Sequence, residues 1–170
     1  MPFPLQALIL WLHLLAAMTW IGGLVFQVLV VFPTLAWAAA PTGERVRFAL
    51  SLEARFRVIL WPAVGMVLFT GLVNLMNVWY ATVVTAGSIS PTFVPLLSVK
   101  LGLVVGMIAL QAVQQLLIFP RRVAALRSVS AGAQDVPLPF HTWQRLALLL
   151  YGALLGLAGG AVLCAVLLRR

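Results

Sequence analysis

Hydrophobic residues in this chain gather in four long, nearly unbroken runs, roughly Leu5 to Val31, Val58 to Tyr80, Leu96 to Phe119 and Leu146 to Leu168. Each run reaches the ~20 residues that a helix rising ~1.5 Å per residue needs to cross a hydrocarbon core ~30 Å thick. A transmembrane barrel would require polar residues at alternate positions, and these runs lack that alternation. The stretches between the runs are short. The pattern predicts an all-α integral membrane four-helix bundle, one domain over residues 1–170.

Composition agrees with the pattern, for 64% of the 170 residues are hydrophobic and only 8% are charged. A soluble domain of this size could not hide so much apolar surface. The first run has no basic leader and no small-residue cleavage pattern before Trp20, so it is expected to stay in the mature chain rather than act as a secretion signal. The basic residues set an orientation. Arg45, Arg47, Arg55 and Arg57 lie between the first two runs, and Arg121, Arg122, Arg127 and Arg145 between the last two, against Lys100, Arg169 and Arg170 on the other side. Basic loops stay in the cytoplasm, which places both termini on the outer (periplasmic) side of an inner (cytoplasmic) membrane. Arginines that flank spans suit anionic lipid, and no nucleic acid partner is expected.

The first basic loop alternates Glu44, Arg45, Arg47, Glu53, Arg55 and Arg57 with Val46, Phe48, Leu50, Leu52 and Phe56. That alternation predicts an amphipathic helix at the cytoplasmic interface before helix 2, whose first turn would then contain Pro62. The loop with Thr85, Gly87, Ser88, Ser90, Pro91 and Pro95 reads as a plain outer turn. Small residues let helices approach in lipid. Gly102 and Gly106, and the row Gly152, Gly156 and Gly160, are therefore expected to pack helices or to leave room for a flat cofactor or a dimer seam. Gly65 and Gly71 play the same part in helix 2.

Polar side chains inside a bilayer are costly, so they are the first candidates for function. His13 lies eight residues into the first run, ~12 Å deep. Asn74 and Asn77 come near the outer end of helix 2, and Lys100 opens helix 3. Four polar groups from three helices thus converge in the outer leaflet. An imidazole there can ligate haem iron or copper, or relay protons. A neighbouring cation suits a propionate. Trp20, seven residues on from His13, is placed to wall a pocket. If His13 holds iron, the sixth position is either empty or filled by Met76, Met18, Lys100 or another chain, and the sequence does not choose among them. His141, the other histidine, sits at the opposite membrane face beside Trp143 and Arg145, too far to share a metal with His13. Gln111, Gln114 and Gln115 read as helix-bridging amides, Cys164 as an apolar filler, and Trp11, Trp37, Trp61, Trp79, Tyr80 and Trp143 as an interfacial belt.

The segments LHLLAAMTWIGGLVFQVLVVFP (Leu12 to Pro33), FTGL (Phe69 to Leu72), VKLGLVV (Val99 to Val105) and IFPRR (Ile118 to Arg122) resemble the CopD-like copper-resistance membrane domain and the related HemJ-type protoporphyrinogen oxidases. The likeness to the latter implies a bound b-type haem, with a required histidine in the first span and a lysine opening the third, which fall on His13 and Lys100. The leading expectation is therefore a membrane protein binding haem b, in electron transfer or porphyrin oxidation and thus a possible haem-dependent oxidoreductase. His13 would be its metal ligand, with Lys100, Trp20, Asn74 and Asn77 around the cofactor. Copper transport or resistance is the alternative, against which stands the lack of a ladder of soft ligands. A third expectation is an accessory subunit of a respiratory membrane complex; a homodimer or larger assembly fits any of these. Hydrolase chemistry is disfavoured, since Glu44, Glu53 and Asp135, the only acidic residues, all read as loop residues.

Overall fold

The computed structural model describes residues 3–33, 43–81, 92–127 and 138–168. Helix α1 (Phe3–Phe26) runs into a π-helical turn, Gln27–Val31. Helix α2 covers Gly43–Trp79. Helix α3 (Phe93–Val113) passes through a second π turn, Gln114–Ile118, into α4 (Phe119–Arg127), and α5 covers Leu138–Leu167. The described residues are helical with no strand, and four helical stretches are long and apolar enough to span a membrane: Pro4–Val31, Val46–Trp79, Phe93–Ala125 and His141–Leu167. This is a multi-pass, membrane-embedded protein. Large apolar side chains such as Phe69, Val105, Leu116 and Leu149 point outward, as lipid permits.

The expected break between an interfacial helix and helix 2 is absent. Helix α2 has 37 residues, hence a length of ~55 Å against a core of ~30 Å. In its leading part Val46, Ala49 and Leu50 find a protein face. They pack with Val31 against Phe119, Val123 and Ala125. Pro62 consequently falls inside the helix rather than in its first turn. It removes one ladder hydrogen bond there without ending the helix. Pro95, expected in the outer turn, occupies the first turn of α3, where its missing N–H costs little. The residues from Thr85 to Pro91 lie outside the described residues, as do Trp37, Asp135, Arg169 and Arg170.

The bundle is two helical hairpins, α1 against α2 and the third span against α5, joined where α1 also meets α5. The hairpins share a register. Both π turns start at glutamine and lead into Phe–Pro: Gln27-Val-Leu-Val-Val-Phe32-Pro33 and Gln114-Gln-Leu-Leu-Ile-Phe119-Pro120. In each, the phenylalanine N–H donates to the glutamine carbonyl five residues back. The interval from Gln27 to Gln114 also carries Trp20 onto Met107 and Val31 onto Ile118, all buried. In the second helix of each hairpin it carries Leu60 onto Ala147, Val64 onto Tyr151 and Val67 onto Leu154, again all buried. The same interval carries His13 onto Lys100. The chain is built as a parallel internal repeat of two-helix units.

The glycine row of α5 does not form one packing groove. Gly160 meets Leu103, but Gly152 and Gly156 have no neighbouring atom near the position of a Cβ. Gly106 faces Leu157, while Gly102 and Gly65 are open. The closest approach is elsewhere, at Gly23, whose missing Cβ makes room for the Phe56 ring.

Candidate functional site

The first polar site is built across α1 and α2. His13 Nδ1 lies 2.9 Å from Thr70 Oγ1, and the Thr70 hydroxyl donates to the Met66 carbonyl one turn back. A hydroxyl has one hydrogen, so toward His13 the Thr70 oxygen can only accept. The hydrogen between them therefore belongs to Nδ1, and in the neutral ring the lone pair sits on Nε2. The Val67 carbonyl, a second acceptor, also borders the ring. Gly71 completes the seat, for a Cβ there would stand 3.1 Å from His13 Cε1. The ring is thus seated on α2, with Nδ1 held on Thr70.

Lys100 is half-buried and lies within electrostatic range of the His13 imidazole, and Cys164 of α5 lies within range of Lys100. His13 and Lys100 therefore lie within electrostatic range of each other from different hairpins. Asn74 and Asn77 are half-buried and follow Thr70 at helical spacing toward the same end of α2. Trp20 is brought elsewhere. It lies fully inside the core, two turns deeper than His13, packed with Leu24, Met107 and Leu154. Met18 and Met76, named as possible ligands, point outward at 70% and 63% exposure. His141 is exposed at the start of α5. Among the described residues no three His, Cys, Asp or Glu side chains group closely enough to hold a metal ion together.

A second polar cluster was not foreseen. Glu53 and Arg122, both expected in loops, are fully buried inside the bundle as an ion pair, Arg122 Nη1 donating to Glu53 Oε2 at 2.6 Å. The Tyr151 hydroxyl donates to the other carboxylate oxygen, Oε1, at 3.2 Å. The Phe32 ring packs on Tyr151 with centroids 5.3 Å apart, and the Arg122 guanidinium stands over Phe32. Three segments of the chain therefore meet at one carboxylate, and Phe32 brings a fourth against two of them. Around them Gln27, Gln111, Gln114 and Gln115 are also fully buried. Two other arginines at this end stand over aromatic rings, Arg57 over Phe119 and Arg121 over Trp143.

Two signals in the sequence could have found this cluster. Glu53 falls at the helical spacing of Val46, Ala49 and Leu50 on the apolar face of its helix, which is where a solvated residue would not be. The repeated Gln-x-Leu-x-x-Phe-Pro motif marks equivalent turns in two spans, and π turns recur at functional positions.

No curated protein and no solved structure matches the chain. The profile of the family described as copper resistance protein D matches residues 51–161, more than half of the sequence. The matched region begins after His13 and includes Glu53, Thr70, Lys100, Arg122 and Tyr151. With four membrane-spanning helices and this match, the chain belongs to the copper resistance protein D family.

Proposed function

We propose that this protein carries copper through the membrane as one compact four-helix domain, taking the ion at His13. The observation that supports it is the Thr70 hydroxyl, which by donating to Met66 and accepting from Nδ1 leaves Nε2 as a fixed, proton-free ligand. Imidazole is a good copper ligand, and a hydrogen bond on its far nitrogen both orients it and raises its basicity. The site offers one imidazole rather than a closed cage. An ion held by so few ligands, with the Lys100 ammonium in range, is held loosely, which suits passage rather than storage. With basic ends kept cytoplasmic, His13 would face the periplasmic half of the inner membrane.

The haem b reading uses the same imidazole, with Lys100 opposite a propionate and Trp20, Asn74 and Asn77 lining the ring. Trp20 sits two turns away in the core, and the family match speaks for copper. Reconstituted vesicles containing a fluorescent copper(I) chelator test the proposal. Uptake is expected with the unaltered chain and lost in folded His13→Ala. Equal uptake in both, or a stoichiometric Soret band with no uptake, would overturn it.

A further inference from the structure

Gln27, Gln111, Gln114 and Gln115 lie fully inside the bundle, and neither the amide nitrogen nor the oxygen of any of them has a hydrogen-bond partner among the described residues. They gather round one hub. The Gln114 amide approaches the Tyr151 hydroxyl without reaching hydrogen-bond geometry. Gln27 is one π turn from Phe32, whose ring packs on Tyr151. Gln111 and Gln115 lie on the buried face that continues to Ile118 and Arg122. The two hairpins thus each contribute a glutamine turn to the same region, next to the Glu53–Arg122 pair.

Threonine and serine hydroxyls elsewhere in these helices satisfy themselves on a carbonyl one turn back, as Thr19 and Ser98 do. A glutamine amide has donors and an acceptor at once and cannot be satisfied that way. Leaving four of them dry would cost as much as the whole net stability of an ordinary domain. A cation would satisfy the carbonyl oxygens and oppose the NH2 groups, and an anion would do the reverse. Glu53 and Arg122 neutralise each other, so the region carries no excess charge to draw either ion. Water donates and accepts equally, and buried polar groups of this kind are where internal water resides.

We infer that the arginine-bearing half of the bundle encloses a polar chamber holding a cluster of ordered water molecules, lined by Gln27, Gln111, Gln114 and Gln115 and closed by Glu53, Arg122 and Tyr151. Trp20 and Met107, counterparts in the two hairpins, lie in the core at a level between it and His13, and the Trp20 indole N–H is likewise buried without a hydrogen-bond partner among the described residues. The chamber rests on the orphaned amides alone; only its use as the inner leg of a copper path rests on the proposed function.

Radiolytic labelling of the full chain in lipid nanodiscs tests it, since hydroxyl radicals form from internal water as well as from bulk. Allowing for intrinsic reactivity, Tyr151 is expected to be oxidised well above the equally buried Leu60 and Leu154, and Gln27→Leu with Gln114→Leu to bring it down to their level. Tyr151 labelled no more than those leucines in the unaltered chain would overturn the inference, as would labelling that persists in the folded double variant. Thermal unfolding of Gln114→Leu gives a second readout. Its midpoint is expected unchanged or lowered, because a hydrated amide loses its waters; a raised midpoint would mean a dry amide and no water cluster. Failure of copper uptake in the unaltered chain would sink the proposed function and leave these results standing.

Discussion

Thr70 does more for His13 than contact it, because the direction of its own hydrogen bond decides which ring nitrogen is bare. Thr70→Val keeps the shape and removes the acceptor. Copper affinity, measured by competition with a copper(I) chelator, is expected to fall ~10- to 100-fold, the usual effect of losing a partner behind a metal-binding histidine. Thr70→Ser should restore most of it. Lys100 separates copper from haem. Lys100→Met removes a positive charge in range of the ion and should tighten copper binding; a haem propionate would instead lose its partner, so weakened cofactor binding in that variant would favour haem. His13 and Lys100 were legible in the sequence, since a charged or ring-nitrogen side chain inside an apolar run stands out by itself. Thr70 was not, for a threonine in a span is unremarkable until its hydrogen bonds are seen. Trp20 was assigned to the pocket on face alone, and face does not fix depth.

At the level of helices, the seam between α1 and α2 depends on Gly23, where a Cβ would overlap the Phe56 ring. Gly23→Ala is expected to destabilise the protein by ~1–3 kcal/mol through overpacking, read as a lower unfolding midpoint in detergent, with Phe56→Leu recovering much of the loss. The other strong tie is the buried ion pair. Glu53→Gln or Arg122→Met alone strands a charge in the core and should cost ~3–5 kcal/mol, whereas Glu53→Met with Arg122→Met should regain most of that. The number of spanning helices was readable from hydropathy because lipid demands unbroken apolar length. The start of α2 was not, because charge on the leading segment resembles an interfacial helix, and only its partner face, Phe119 and Val123 of α4, tells that it is packed against protein.

Over the whole molecule, the repeated register gives each hairpin its own internal seam, and it brings Lys100 of one within electrostatic range of His13 of the other. A chain divided between α2 and α3 is accordingly expected to reassemble when its halves are co-expressed, recovered as a complex in mild detergent. Dissociated halves would show that the hairpins are not independent folding units. This duplication lay in the sequence as the Gln-x-Leu-x-x-Phe-Pro pair but was hidden by low identity elsewhere, where any apolar residue serves.

The Glu53–Arg122 bond crosses between those units, with 69 positions separating its ends. During synthesis the carboxylate therefore emerges long before the guanidinium that neutralises it. Until the third span arrives, the first hairpin carries an acid without its matching cation.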